Sequence, residues 1–508
     1  MMWFAVLAIL MVIASYVFVI LLAAACVYLP YLLFDSSSAG TQSVLLFLFG
    51  VAIAGGLLWS LVPRVDKFAP PGPLLNRAQH PRLFAELDAI AASLNEPLPS
   101  EVYLIGEVNA WVADRGGVMG FGSRRVMGLG LPLLSVLTIS QFRAVLAHEF
   151  AHYYGGDTSL GPWVYKTKMA MMRTFQTVGS LSKLARFWIL AIMYMVVTTI
   201  LKWYFIVFLR AMNLISRRQE YRADELACLV AGRQPLMDGL RTIHGAAPAW
   251  QPYWNTEVAP VLNNGSMPGL GDGFARFVAA PGISQKIEGN VKKEILEGKA
   301  SPYDTHPPLR ERIAAAQSLP SATEPPGSKP EDTRPASSLL DHPEAAELGF
   351  LHALNPKLPP GSLRCVTWDQ VSAQVTVPGW REAAREYGAA FQGLTVDTLP
   401  DMLPRLQEVG ATMRDPKGML LTPAQRTQRA GQVLAVGLAL ALLENRWELH
   451  AQPGVFHFQK GSEQLNPFVM VPQLIDGKLT REAWASRSRE LGIATHALFP
   501  QTEPITGG

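Results

Sequence analysis

Charge is thin in this chain, and in one place it vanishes. Of 508 residues, 17% are Asp, Glu, Lys or Arg, while 49% are hydrophobic, which is apolar-rich for a soluble protein. From Met2 to Phe34 there is no charged side chain at all. At about 1.5 Å per residue such a run exceeds the roughly 30 Å hydrocarbon core, so it predicts a spanning helix with room for tilt, ended or bent by Pro30. A second uncharged run, Val44–Val62, stops at Pro63-Arg64. No basic residue precedes the first run, and the run is too long for the apolar core of a signal peptide, which argues against a cleaved leader. Apolar residues continue past Cys26, which argues against lipoprotein cleavage after Ala23-Ala24-Ala25. The expectation is two membrane helices.

Other scarcities narrow the reading. Three cysteines, Cys26, Cys228 and Cys365, lie far apart and form no metal-ligand pattern; they suit a reducing compartment. A net charge of +3 in this length gives no argument for nucleic acid. The loop Asp35–Ser43 holds no Lys or Arg, whereas Arg64, Lys67 and Arg77 follow the second helix, so the positive-inside rule places the chain after residue 63 in the cytoplasm. No internal repeat is evident.

Histidine is also scarce, 10 in all, yet two of them stand in His148-Glu149-Phe150-Ala151-His152. Histidines at i and i+4 share one helix face and can offer two imidazoles to one metal ion, with the glutamate between them placed to act on a metal-bound water. The chemistry this spacing predicts is amide hydrolysis by zinc-activated water. It requires a third ligand. The position six residues after His152 is Thr158, not histidine. Farther on, Glu220 and Asp224 are again i and i+4. One carboxylate can bind the metal while the other holds a ligand histidine's free nitrogen or assists proton transfer. The bland alternative is that both acids pair with Arg217, Arg218 and Arg222 on a solvated face.

Around these motifs, residues 64–80 read as a linker leaving the membrane and about Pro81–Leu94 as an amphipathic helix. Val102–Ile105, Asn109–Val112 and Arg125–Leu129 read as strands, the latter two around a Gly-rich turn. A helix capped by Ser140 carries the histidines. Between His152 and Glu220 lies a long helical stretch with an apolar core, Phe187–Leu209. One crossing there would put the ligands on opposite sides of the bilayer, so crossings number zero or two, and a hairpin packed on or dipping into the membrane surface is preferred. Residues 230–300 read as an irregular, Gly/Pro-rich cleft or lid. Beyond a Pro/Ser/Glu-rich linker, helices near Trp380–Phe391, Ala430–Leu443 and Arg481–Leu491 and a hairpin through Trp447–Phe458 and Phe468–Val471 are expected.

The runs Val145–His152, Glu220–Asp224 and Asp304-Thr305-His306-Pro307-Pro308-Leu309-Arg310, in that order, resemble the HtpX-type and CAAX-prenyl-protease-type membrane gluzincins over roughly residues 64–316. The resemblance implies His148, His152 and Glu220 as ligands of one Zn2+ per chain, Glu149 as general base and Asp224 as a supporting or proton-donating partner. It also implies a substrate-binding edge at Asn109 and Ala110, where the other reading is an ordinary turn asparagine. His306 has four readings open: oxyanion donor, substrate contact, latency ligand, or helix cap beside Thr305. Arg310 either binds a substrate carboxylate or faces solvent. The expected fold is mainly α with a small β-sheet. Two transmembrane helices occupy 1–63, a zincin-type peptidase domain 64–318 (with a membrane-inserted or interfacial helix at 187–209), a linker 319–339, and a separate α+β domain 340–508. The expected protein is a bacterial inner-membrane zinc metalloendopeptidase whose catalytic domain faces the cytoplasm. Its expected partners are the lipid bilayer and membrane-associated or misfolded polypeptides, with no nucleic acid. The rival is a membrane-tethered chaperone or scaffold with a vestigial zinc site.

Overall fold

A computed structural model describes residues 2–34, 40–118, 122–153, 161–184, 187–298, 306–320, 331–413 and 421–499. Thr158, Asp304, Thr305, the loop residues 35–39, the tip of the Gly-rich turn at 119–121 and linker residues 321–330 therefore lie outside the described residues. The chain forms two compact units. One comprises 1–248 and 287–356, the other 249–286 and 357–508.

The first unit begins with α1 (Met2–Phe34) and α2 (Thr41–Leu61). α1 continues through Pro30 to Phe34. Both helices are apolar all round, with Leu10, Leu21 and Leu29 on α1 and Leu48, Leu58 and Trp59 on α2 exposed, as lipid-facing helices are. They meet at Gly50: a Cβ there would stand 2.1 Å from the Cys26 carbonyl oxygen, so only glycine lets the backbones approach this closely.

A short segment leads to α3 (Pro81–Ser93) and a three-stranded sheet of β1 (Glu101–Ile105), β2 (Ala110–Arg115) and β3 (Arg124–Gly130) in the order β1-β3-β2. β1 is parallel to β3 and β2 antiparallel to it, which leaves β2 as an edge. After α4 (Leu131–Val136) comes α5 (Ile139–Ala151), the histidine helix. Its cap is Thr138 rather than the expected Ser140. Thr138 and Gln141 exchange side-chain bonds with each other's backbone N–H, a capping box that satisfies two orphan donors.

α6 (Gly161–Ser180) and the 44-residue α7 (Trp188–Ala231) follow. Val178, Leu190, Val197 and Leu201 join one apolar cluster with Val19 and Leu22 of α1 and Ile53 and Leu57 of α2. Ser60 and Thr174 share a hydrogen bond of 2.7 Å near the end of α2, and Met193 reaches Gly50 near its middle. The hairpin's apolar legs thus lie beside α2 rather than across its end. α1, α2 and α7 are long and apolar enough to cross a membrane. α7 then runs unbroken out of the apolar layer, carrying Glu220 and Asp224 to α5.

The region 230–300, expected to be irregular, is mostly helical: α8 (Arg233–Tyr253), α9 (Ala259–Asn263), β4 (Ser266–Pro268), α10 (Leu270–Ala279) and α11 (Pro281–Glu297). Pro235, Pro260 and Pro281 sit in first turns, where a missing N–H costs nothing, whereas Pro248 and Pro252 fall in the later turns of α8. α12 (Leu309–Ser318) and α13 (Pro343–Leu354) complete the first unit.

In the second unit β5 (Arg364–Val366) pairs with β4, so residues 249–286 pack with the C-terminal residues instead of forming a lid. α14 (Trp368–Val371) packs Trp368 on Tyr253, and α15 (Val377–Tyr387) and α16 (Leu406–Thr412) pack on α17 (Pro423–Glu444), whose Leu434, Ala435, Leu438, Ala439 and Leu442 are buried. β6 (Glu448–Gln452), β7 (Val455–Lys460) and β8 (Glu463–Leu465) form a meander. Phe468–Val471, expected in the hairpin, belongs instead to the helix α18 (Pro467–Ile475). Asn466 caps it and Pro467 opens it, overriding the apolar run. α19 (Arg481–Glu490) closes the unit.

The α1–α2 contact is open to test. Gly50→Leu forces the Cys26 backbone away and lowers the thermal midpoint of the detergent-solubilised protein. Gly55→Leu leaves that midpoint unchanged, because nothing lies within 4 Å of its Cβ position.

Candidate metal centre

Two helices build the site, and each contributes an i, i+4 pair. α5 ends with His148 and His152 stacked along one face; α7 presents Glu220 and Asp224 along its facing stripe. The two Nε2 atoms are 3.2 Å apart. Glu220 lies 3.5 Å from each, through Oε2 to His148 and Oε1 to His152. Around a tetrahedral ion with bonds of about 2.0–2.1 Å the ligand atoms stand about 3.3–3.4 Å apart, so these three separations fit such an ion. Glu220 is buried, and nitrogens surround its Oε2, with His306 Nδ1 at 2.9 Å, His148 Nε2 at 3.5 Å and an Arg312 guanidinium nitrogen at 3.7 Å. Two imidazoles and a carboxylate converging in a buried spot are a donor set that suits a zinc ion. Among the described residues this is the one group of three such side chains close enough to share a metal.

The surroundings hold the ligands in place. Asp224 Oδ1 is 2.9 Å from His148 Nδ1, leaving Nε2 toward the cluster. Arg312 of α12 donates to both oxygens of Asp224, from Nε at 2.8 Å and Nη2 at 2.6 Å, and its guanidinium lies 3.7 Å from Glu220 Oε2. Asp224 and Arg312 are both buried. Burial and Arg312 push His148 down, but its bonds to Asp224 and Glu220 outweigh them and carry its pKa to about 9. Burial takes His152 the other way, to about 3, helped by the neighbouring His148 charge. Glu149, half-buried on α5, is pushed up to about 7 by burial, against the pull of His148.

The remaining sequence candidates separate. His306 comes to the site from the segment before α12, its Nδ1 2.9 Å from Glu220 Oε2 and its side chain 65% exposed. Asn109 precedes the edge strand β2, and its carbonyl accepts from Gly130 N–H at 2.9 Å. Ala110, buried, begins that strand. Tyr153, just past the second histidine, donates to the Val112 carbonyl at 3.0 Å, which ties the end of α5 to β2. Arg310 is not brought to the metal cluster. It is exposed and lines a cavity of about 350 Å³ with Arg241 and Leu296, on the face of α12 away from Arg312.

Arg312 is the residue that the sequence reading passed over. Its signal is its position: Leu309, Arg312, Ile313 and Ala316 form the buried stripe of α12, and a guanidinium on an apolar stripe requires a partner. The pairs His148/His152 and Glu220/Asp224, by contrast, meet as their spacing predicts.

Comparison with known proteins bears out the resemblance. The model of Peptidase family M48 matches residues 77–319, just under half of the chain. Two proteins from Chlorobium phaeobacteroides, each described as a Protease HtpX homolog, are similar. The one from strain DSM 266 is 27% identical over 211 residues, 39% of this chain and 59% of its own length. The one from strain BS1 is 26% identical over 239 residues, 44% of this chain and 63% of its own length. The chain thus spans about three-fifths of the relatives it matches. No solved structure matches.

Removing Arg312 should loosen the metal rather than the fold's apolar core. Arg312→Ala leaves Asp224 buried without its two guanidinium bonds, and metal affinity falls about 10- to 100-fold in competition against a chromogenic chelator. Arg312→Lys recovers only part of that, because an ammonium cannot make the paired bonds. Unchanged affinity in Arg312→Ala would show that the arginine plays no part in holding the ligands.

Proposed function

We propose that this protein is a membrane-bound zinc-dependent endopeptidase. The observation that carries the reading is the meeting of His148, His152 and Glu220 at tetrahedral-edge separations with Glu149 on the same helix. Two imidazoles and one carboxylate are a ligand set typical of catalytic zinc, and three protein ligands leave one position for reactants. The charges also fit: with His148 neutral, as a metal ligand must be, and Glu149 ionised, Glu149, Glu220 and Asp224 against Arg312 leave two negative charges, which a divalent cation cancels. Bound there, zinc supplies Lewis acidity and makes a water acidic enough to be deprotonated near neutral pH.

The chain's own residues do the rest. Glu149 takes the proton from the attacking water and returns it to the leaving amine. Asp224 fixes the tautomer of His148, and Arg312 fixes Asp224. His306, exposed beside Glu220, is the donor placed to meet the oxygen of the scissile carbonyl as charge develops there. The edge strand β2 takes the substrate in extended form through backbone bonds, beginning at Asn109 and Ala110, which makes binding tolerant of sequence. Helices α1 and α2, with the α6–α7 hairpin, hold the site at the bilayer. Arg64, Lys67 and Arg77 after α2 support, by the positive-inside rule, a site on the cytoplasmic side. The substrates in this reading are membrane-associated or misfolded polypeptides and the task is membrane-protein quality control or processing; the description of both relatives as proteases supports polypeptide cleavage.

The test separates metal binding from cleavage. Glu149→Gln retains about one zinc per chain by elemental analysis yet loses at least 100-fold of its rate on casein. The parent protein loses its activity with a chelator and regains it on adding zinc. If Glu149→Gln cleaves as fast as the parent, the assigned mechanism is wrong. If the parent binds zinc but never cleaves, the chaperone reading gains.

A further inference from the structure

The second unit holds a cavity of about 590 Å³ between α15, the last turn of α17 and residues 498–499, far in sequence from the metal ligands. A volume of this size is typical of ligand pockets. Its base is built with care. The ring of Phe499 stacks on Phe391 with centroids 5.5 Å apart. It lies against two glycines, where a Cβ on Gly388 would stand 3.0 Å from it and one on Gly437 2.5 Å. Leu440 and Leu443 extend this apolar base.

The opposite wall is polar. Arg381 and Arg385 sit at i and i+4 on α15, both exposed, and neither guanidinium has an acidic partner among the described residues. Two unpaired guanidinium groups over an apolar base select a ligand with an anionic end and an apolar body. Gln392 and Glu444 complete the lining and offer acceptors for amide N–H groups. Both are exposed at the cavity's edge, and a polypeptide backbone brings amide donors to them that a plain hydrocarbon chain lacks.

We propose that this cavity binds the C-terminal end of a polypeptide, with the terminal carboxylate on Arg381 and Arg385 and the last apolar side chain against Leu440, Leu443 and Phe499. Backbone and side-chain donors capture terminal carboxylates in other recognition modules by the same chemistry. The proposal is independent of the metal site, because it concerns binding and not cleavage.

The experiment uses the full chain carrying Glu149→Gln, in phosphatidylcholine nanodiscs, so that the probe is not consumed. The probe is a fluorescein-labelled hexapeptide ending in two leucines, compared as free acid and as amide by fluorescence anisotropy. The free acid binds at least tenfold more tightly than the amide. The double substitution Arg381→Gln with Arg385→Gln removes that difference, and Ala389→Trp, which narrows the mouth without changing charge, weakens both peptides. Equal binding of acid and amide to the unsubstituted cavity, or no binding of either, overturns the proposal without any cavity variant having to fold. So does decanoate that displaces the free-acid peptide at a lower concentration than the peptide itself requires, since the ligand is then a free amphiphile. A preference for the acid that survives the double arginine substitution places its recognition elsewhere and also overturns it.

Discussion

The meeting of His148 with Asp224 at 2.9 Å, and of both histidines with Glu220, is the constraint to which the rest of the first unit answers. The histidines lie on α5 and the acids on α7, with more than 60 residues of chain between them. That intervening chain enters the apolar layer beside α2 and must come back on the same side. α7 meets the requirement by being one helix: its first half packs on α1 and α2, and its second half delivers the carboxylates. A 44-residue helix is about 66 Å long, enough to serve both roles without a break. Any change in the depth of α7 would move Glu220 and Asp224 along their axis relative to α5, so membrane position and ligand geometry are mechanically joined.

Burial makes the cluster self-limiting. Glu220, Asp224 and Arg312 are each nearly inaccessible, and an isolated buried charge costs several kcal/mol. No one of them is tolerable alone. Arg312 answers Asp224, Asp224 answers His148, and Glu220 with Glu149 leaves the negative balance that a divalent cation fits. The elevated Glu149 pKa has the same origin, since burial beside Glu220 resists a further negative charge until a cation arrives.

What could be read from the sequence follows how local each determinant is. An i, i+4 histidine pair, an uncharged run long enough to span, and strands of β-branched residues around a glycine turn are local patterns, and α1, α2, α3, the first sheet and α5 formed where those patterns lay. Phe468–Val471 looked like a strand because its apolar residues are β-formers, but Asn466-Pro467 starts a helix, and a cap is a stronger local instruction than a propensity. The helices in 230–300 were hidden because prolines and glycines read as breakers, yet Pro235, Pro260 and Pro281 fall at first turns and α8 carries Gly239, Gly245, Pro248 and Pro252 within its length. Arg312 was invisible for another reason. Its partner Asp224 is 88 positions away, and only the apolar stripe on α12 marks it as buried. The pairing of β4 with β5, about a hundred residues apart, is non-local in the same way, and no window along the chain contains both.

The two units divide the chemistry of the chain between them. Among the described residues, the first carries the one group of side chains close enough to share a metal and every helix long and apolar enough to cross a membrane; the second carries neither. Yet the second is not merely a packed spacer. The middle of α17, from Val433 to Ala439, is buried on all sides, and its last turn ends at a cavity where two arginines have no ion-pair partner among the described residues. Cores do not require that arrangement: a surface guanidinium can pair with any of the chain's 41 acidic residues, as Arg487 does with Glu463 and Arg481 with Asp401 in the same unit. Arg381 and Arg385, a turn apart in the lining that also holds Phe499 between two glycines, have no acidic partner among the described residues. On the proposed reading, a chain that meets polypeptides of many sequences gains from a feature common to all of them; a chain end is such a feature, as an extended backbone would be at the edge of β2.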